Sequence, residues 1–405
     1  MKILHLTPHF YIPENYIDKW EVDLDQIGGM QTQIYRQCKL LETEDVYQEV
    51  LTILPHNRKQ IELSDKLIIR KSNWRMLPIK SKINCTAGLN FYWLMGTIFN
   101  LFYFKIKRIN FDCIHVHCSG VSAPLIIALI SHKLFNSRIV LTIHCSRIAT
   151  YKPMGIVDKL FNKVAQKIEK KALKKSDKII VLTNKTQKNI IEKTKISVDK
   201  FTLIPNMISF KQFNDFVSKD SKDSFKRKFC IPNNKKIVCF IGRVAHEKGW
   251  KYFIDTMKWV NAFYLICGDG PERVSLEKEI KENDSNNIVI TGFVSNEEVA
   301  NCISCADVIV IPSLHEEFGS LVLEVASLKK AVVAFDVGGL SENIINNVTG
   351  VLVKSGDSEK LASSINELLV DSIKRNKLGE NLYNNMINRY DSSKFIELYK
   401  KIYYE

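Results

Sequence analysis

Short apolar runs recur along the whole 405-residue chain, each followed by a polar turn and then a segment with helical spacing. The runs Ile3–Leu6, Val50–Ile53, Cys113–Val116, Ile139–Ile143 and Lys178–Leu182 form one series. A second series holds Ile237–Ile241, Phe263–Cys267, Ile288–Thr291, Val308–Ile311 and Ala331–Ala334. Helical patterns such as Met30–Leu41, Val157–Lys174 and Ser275–Glu282 fall between them. Continuous apolar strands alternating with helices imply parallel sheets covered on both faces. The expected class is therefore α/β, with two doubly wound, Rossmann-like domains. The joint falls near "TLIPNMISF" (Thr202 to Phe210), punctuated by Pro205 and Asn206. Residues 1–207 form the expected N-terminal domain and 208–390 the C-terminal one, with a helix over 391–405 packing back on the first.

Composition narrows the partners. A formal net charge of +14 points to anionic ligands: nucleic acid, a membrane surface or phosphorylated small molecules. No helix-turn-helix, zinc-finger or RNP signature is present, so nucleic acid is not expected. The opening "MKILHLTPHF" runs straight into a strand without the pattern of a secretory signal. Ten cysteines in 405 residues are too sparse for a disulfide scaffold. Reduced thiols in a cytoplasmic protein fit best, with peripheral membrane contact left open by one stretch. "LNFYWLMGTIFNLFYF" (Leu89 to Phe104) is a long, mostly apolar and aromatic run flanked by lysines and arginines, yet too short to span a bilayer. A buried helix of a large α/β domain accounts for it better than an interfacial membrane helix.

Chemistry concentrates where strands end. "VCFIGRVAHEKGW" closes a strand at Gly242, then sets Arg243 and Lys248 where a fork and a point charge grip phosphate. "LICGDGPE", "ITGFVSNEEV" and "DVGGLSENI" end further strands in glycine turns, with Ser295 or Asn296 as a helix cap. Such glycines suit close approach of a ligand to the backbone. "HEEFGSLVLE" places Glu316 and Glu317 ahead of an apolar helical stretch, with Glu324 inside it. A carboxylate among Leu321, Val322, Leu323, Val325 and Ala326 needs a partner, structural or ligand.

Taken in order, GR-x4-KG, GDGP, TGFVSNEEV, E-x7-E with an internal FG, and VGG-x-x-E resemble glycosyltransferase family 4. The resemblance spans nearly the whole chain. It implies the GT-B fold, two facing Rossmann-like domains with a cleft between them, and a retaining enzyme that uses a nucleotide sugar. By position, Arg243 and Lys248 resemble the pair on the donor diphosphate, Glu324 the carboxylate on the ribose, and Glu316 the residue beside the donor sugar. Gly242, Val294, Phe318, Gly319, Ser320 and Leu321 complete the implied donor site. In "QIGGMQTQIYRQ", Gly28 and Gly29 match the family's glycine-rich loop facing the diphosphate. "VLTIHCSRIATYKP" puts His144 where the family has a histidine beside the reacting sugar. His144, Glu316, Arg243 and Lys248 are thus the implied catalytic set. Glu317 stands where the family usually has a small residue.

Two metal-like patterns are discounted. His115, His117, Cys118, His144 and Cys145 lack the regular pairing of zinc sites, and "DLD" (Asp23–Asp25) mimics a motif of a different glycosyltransferase fold. Cys302 and Cys305 sit in a helical segment as buried thiols. No metal and no cofactor are expected; a UDP-sugar serves as co-substrate. The acidic loop "YIPENYIDKWEVDLDQ" hints at a small polar, cationic acceptor. Asp23, Asp25, Gln31 and Ser146 are its candidate contacts. "LHLTPHF…DQIGGMQTQIYRQ" and "LTIHCSRIATYKPM" further resemble the family members that move N-acetylglucosamine or glucose from UDP onto 2-deoxystreptamine in aminoglycoside assembly. A lipid or polysaccharide of the cell envelope is the alternative acceptor.

Overall fold

The computed structural model describes residues 1–13, 29–55, 58–72, 85–151, 156–282 and 286–404. Each strand expected from the sequence forms, and the chain divides into two compact units. Unit 1 is Met1–Pro205 with Ser393–Glu405, and unit 2 is Asn206–Ser392.

Unit 1 is built on β1 (Lys2–Leu6), β2 (Tyr47–Thr52), β3 (Gln60–Ser64), β4 (Leu67–Lys71), β5 (Cys113–Ser119), β6 (Arg138–Cys145), β7 (Lys178–Val181) and β8 (Phe201–Leu203). They form one sheet in the order β3-β4-β2-β1-β5-β6-β7-β8. All neighbours are parallel except β3 and β4, an antiparallel pair at the edge. Helices α1 (Gly29–Leu41), α2 (Cys85–Ile106), α3 (Ser122–Leu134), α4 (Ile156–Lys175) and α5 (Asn184–Thr194) connect the strands. Side chains alternate across a strand, and here the two faces differ in character. Leu4, Leu6, Ile114, Val116, Ile139, Leu141 and Ile143 belong to one apolar cluster. The opposite parity carries His5, His115, His117, Thr142 and His144, all buried.

Unit 2 holds β9 (Ile237–Ile241), β10 (Phe263–Cys267), β11 (Ile288–Ile290), β12 (Val308–Ile311), β13 (Ala331–Phe335) and β14 (Val351–Val353). Their order, β11-β10-β9-β12-β13-β14, is that of a dinucleotide-binding Rossmann sheet. Its helices are α6 (Phe210–Asp215), α7 (Lys219–Lys228), α8 (Trp250–Asp255), α9 (Arg273–Glu282), α10 (Asn296–Cys305), α11 (Leu321–Ser327), α12 (Gly338–Asn343), α13 (Ser358–Val370) and α14 (Ser372–Tyr390). Phe240, Trp250, Phe253, Tyr264 and Phe335 fill its core, and large side chains of this kind each contribute about 1.5–3 kcal/mol through burial.

The chain then returns to unit 1 with α15 (Ile396–Tyr404). Tyr399, Ile402 and Tyr403 are buried there, and the Arg138 guanidinium donates to the Ile402 carbonyl at 2.9 Å. The apolar stretch of α2 is only half buried. Trp93, Leu101 and Phe104 face inward, while Phe91, Phe99, Phe102, Tyr103 and Ile106 are exposed. Among the described residues no helix is long and apolar enough to cross a membrane.

Candidate active site

Strand order in unit 2 reverses between β9 and β12, so the chain leaves those neighbouring strands in opposite directions. The crevice at such a point is where open parallel sheets bind ligands. β9 runs into Gly242, Arg243 and a 3-10 turn over His246–Lys248. β12 runs into Pro312, Ser313 and the loop that carries Glu316. The two loops are tied together: the Leu314 N–H donates to the Glu247 carbonyl at 2.9 Å.

Charges meet across this junction. Lys248 Nζ lies 2.5 Å from Glu316 Oε1, and Ser313 Oγ donates to the same oxygen at 3.0 Å. Arg243 pairs with Glu247. Burial pushes the Glu247 carboxyl up, but the Arg243 charge and hydrogen bond, a backbone N–H and the Lys248 charge together hold the group below its ordinary value. Both expected phosphate-binding cations are therefore held by carboxylates. Neither Glu247 nor Ser313 was singled out in the sequence, because each becomes visible only when the two loops are placed side by side.

The glycine turns pack loop against loop. A Cβ on Gly249 would lie 1.9 Å from the Pro312 carbonyl oxygen, and one on Gly338 1.9 Å from that of Glu316. Gly268 and Gly339 meet neighbouring backbone in the same way. These glycines let loop pack on loop, fixing Glu316 in place through the Gly339 N–H bond to its carbonyl at 3.0 Å. Gly242 alone among the expected donor-site glycines of this unit has open space beside it within 4 Å.

The remaining donor-site residues cluster around α11. Gly319 has a φ of +81°, and Ser320 stands at the N-cap position of α11 without a side-chain cap bond, its hydroxyl accepting from Asn206 Nδ2 at 2.6 Å. No backbone hydrogen bond among the described residues takes up the N–H groups of Gly319 and Ser320. Phe318 is buried with its ring edge-on to Tyr390, and its carbonyl accepts from Asn343, so its side chain anchors the loop. Leu321 and Glu324 are half-buried in α11, Glu324 between the fully buried Leu323 and Val325. Glu317 is also half-buried, so it is not a freely solvated charge at a helix start. Val294 is buried beside Ser295, which caps α10 in a capping box with Glu298. Cys302 and Cys305 lie buried in α10, and burial raises both thiols above their ordinary value.

In unit 1, His144 is the penultimate residue of β6, 9% exposed, with its Nδ1 buried and unpartnered. An acceptor left bare in this way costs about 1–3 kcal/mol. Burial pushes this imidazole down to about 3, and His5 down to about 4 against the raising effect of Gln48. His115 and His117 are driven well below their ordinary value, by burial first and then by neighbouring histidines. His5, His115 and His117 offer ligand atoms within 4.8 Å of one another, the one such group among the described residues. They fit a metal poorly. Both nitrogens of His115 are engaged, Nδ1 with Tyr403 and Gln37, Nε2 with Thr142. Cys118 of the discounted set packs in the apolar cluster on the opposite face.

The expected acceptor contacts fare differently. Ser146 is fully buried, donates to Glu169 Oε1 at 2.6 Å and caps the turn at Ala149. Glu169, from α4, also accepts from the Arg147 and Ile148 N–H groups, so it holds the loop after His144 in shape. A lone Glu in a lysine-rich helix gave no sequence signal for that role. Gln31 is half-buried in α1, and Gly29 is its exposed first residue. Gly28, Asp23 and Asp25 lie outside the described residues, as does the acidic loop from Glu14 onward.

Solved structures share this architecture from end to end. Sucrose-phosphate synthase from Thermosynechococcus elongatus superposes with a TM-score of 0.81 at 20% identity, covering 100% of this chain and 99% of that one. Anabaena HepE in complex with UDP-glucose gives 0.73 at 16%, covering 99% and 98%. Two Rossmann-like units with these strand orders define the GT-B fold. Residues 221–385 match the family model described as glycosyl transferases group 1, and residues 27–212 that of Glycosyltransferase Family 4. The 2-deoxystreptamine N-acetyl-D-glucosaminyltransferase of Niallia circulans is 33% identical over 355 residues, 85% of this chain and 89% of that protein. The protein of the same name from Streptomyces fradiae is 27% identical, over 96% of this chain and 93% of that one. The 2-deoxystreptamine glucosyltransferase of Streptomyces kanamyceticus is 28% identical, over 84% and 90%. The chain belongs to glycosyltransferase family 4.

Proposed function

We propose that this enzyme moves a hexosyl group, N-acetylglucosamine or glucose, from a UDP-sugar to a hydroxyl of 2-deoxystreptamine, with retention at the anomeric carbon. The activities for which the relatives are named support the acceptor, since three of them act on this aminocyclitol. The observation that carries the donor side is the Lys248–Glu316 pair at the β9/β12 reversal. A diphosphate arriving there competes with Glu316 for Lys248 and with Glu247 for Arg243. Once displaced, the Glu316 carboxylate is free to accept hydrogen bonds from the donor sugar. Charge growing on the departing diphosphate then falls on Arg243 and Lys248, with no metal called for.

Retention follows from attack on the face the phosphate leaves, with that phosphate taking the acceptor proton. Trapping a covalent sugar on Glu316 would overturn this step. The transfer itself is tested by mass spectrometry of 2-deoxystreptamine incubated with enzyme and UDP-N-acetylglucosamine or UDP-glucose, with and without excess EDTA. A product heavier by one hexosyl unit, formed at equal rates in both, is the expected result.

A second reading has one observation in its favour. The exposed aromatic face of α2, beside Lys105, Lys107 and Arg108, suits an acceptor at an anionic membrane. Co-sedimentation with anionic vesicles, together with no product on 2-deoxystreptamine, would favour it.

A further inference from the structure

The histidines on the polar face of the unit 1 sheet are joined end to end. His5 Nε2 lies 3.2 Å from Gln48 Oε1, His5 Nδ1 3.3 Å from His117 Nε2, and His117 Nδ1 3.3 Å from His144 Nε2. The far end has a fixed polarity. Gln48 Nε2 donates to the Cys38 carbonyl at 2.9 Å, so the other amide atom, facing His5, is the oxygen. An amide oxygen only accepts, hence His5 carries its proton on Nε2. Its Nδ1 is then an acceptor and must receive the Nε2 proton of His117. By the same step, His117 Nδ1 receives the Nε2 proton of His144. Every hydrogen bond in the row donates away from His144.

We infer that Gln48, His5 and His117 form a one-way hydrogen-bond relay that fixes His144 as its Nε2–H tautomer and presents its bare Nδ1 as an acceptor to a ligand hydroxyl. The unpartnered Nδ1 at the end of β6 is the atom left over by that count. Identifying the hydroxyl as one of the donor sugar or the acceptor rests on the transferase reading; the relay itself does not. The row is not a path for protons, because its last member is an amide already donating to a carbonyl. It is a positioning device, and hydrogen bonds aligned head to tail polarise one another in the same sense. His115 is set independently. Gln37 donates to the Tyr403 oxygen at 2.6 Å, leaving the Tyr403 hydroxyl proton for His115 Nδ1 at 2.7 Å.

The test is long-range 1H–15N correlation spectroscopy on the full chain labelled with 15N-histidine. Resonances are assigned by single His→Gln variants, and sugar transfer is measured in parallel. His5, His115, His117 and His144 are all expected to show a protonated Nε2 and a bare Nδ1, unchanged between about pH 6 and 8 because each stays neutral when buried. His5→Leu removes the acceptor for His117. That ring then turns its proton outward from Nδ1, and His144 becomes the Nδ1–H tautomer. Turnover should fall about tenfold, the equivalent of one neutral hydrogen bond, with the KM for donor little changed. His5→Gln, whose amide oxygen can accept from His117, should restore both the spectrum and the rate.

The wild-type spectrum alone can sink the inference. A proton on Nδ1 of any relay histidine would do so, as would a spectrum that shifts on addition of EDTA, which would make the trio a metal site. A His5→Leu protein with the wild-type His144 tautomer and rate would also overturn it. Spectra as expected in proteins that transfer no sugar would defeat the transferase reading and leave the relay standing.

Discussion

Lys248 and Glu316 answer each other's charge in the absence of ligand, so their variants should not behave alike. Lys248→Ala removes a charge-assisted contact to phosphate, and UDP affinity should fall roughly ten- to a hundredfold by titration calorimetry. Glu316→Gln frees Lys248, so UDP should bind as well as before or more tightly while kcat drops on the order of a hundredfold. Weaker UDP binding in Glu316→Gln would mean that the pair does not exchange partners with the diphosphate. Glu324→Gln makes the contrasting case, with weaker UDP binding as the main effect. Gly338→Ala tests the scaffold beneath them. At a φ of +48° its new methyl would meet the Glu316 carbonyl oxygen, and a loss of about 2 kcal/mol or more in urea unfolding is expected. The motif letters already singled out Arg243, Lys248 and Glu316. Glu247, Glu169 and His5 were not legible, because each acts through a residue distant in the chain.

Elements with continuous apolar runs could be read directly, and β9, β10, β12 and β13 lie close to where the sequence places them. The strands that escaped have physical reasons for it. β8 and β14 are three residues each and offer little pattern to read. β3, "QIELS", alternates at an edge with only Ile61 buried, and it pairs antiparallel with β4 in a chain otherwise governed by parallel crossovers. The stretch within α2 was read by composition as buried, yet its aromatics are split between an inner and an outer face. Helix starts were better marked. Ser295 accepts from the Glu298 N–H at 3.3 Å while Glu298 reaches back to the Ser295 N–H at 3.4 Å. Ser295→Ala should therefore lower the stability of unit 2 by about 1 kcal/mol, measurable as a smaller urea midpoint with an unchanged slope. Val294, an expected donor contact, precedes this cap, so the same variant should also weaken UDP binding slightly.

The two units should respond differently to acid. In unit 1, burial depresses His5, His115, His117 and His144 below 6.5, the value each regains on unfolding. For a group depressed in this way the unfolded state binds the extra proton. The stability each confers is complete above about pH 6.5 and is lost as pH falls below it, by about 1.4 kcal/mol per histidine per pH unit. Glu169, raised by burial, works in the opposite sense, but as one group against four. Unit 2 has no matching set among the described residues. Lys330, lowered to about 8, is protonated both folded and unfolded by pH 6.5, so it adds no further change. Glu247, held low by Arg243, loses its contribution only below the ordinary carboxylate range. The chain is thus expected to unfold in parts rather than as one cooperative body. Hydrogen exchange, corrected for the intrinsic effect of pH, should show falling protection in β1, β5 and β6 between pH 6.5 and 5, with β9, β10 and β12 holding theirs. Equal loss in both units would place the acid response in the shared net charge of +14 instead of in the buried histidines.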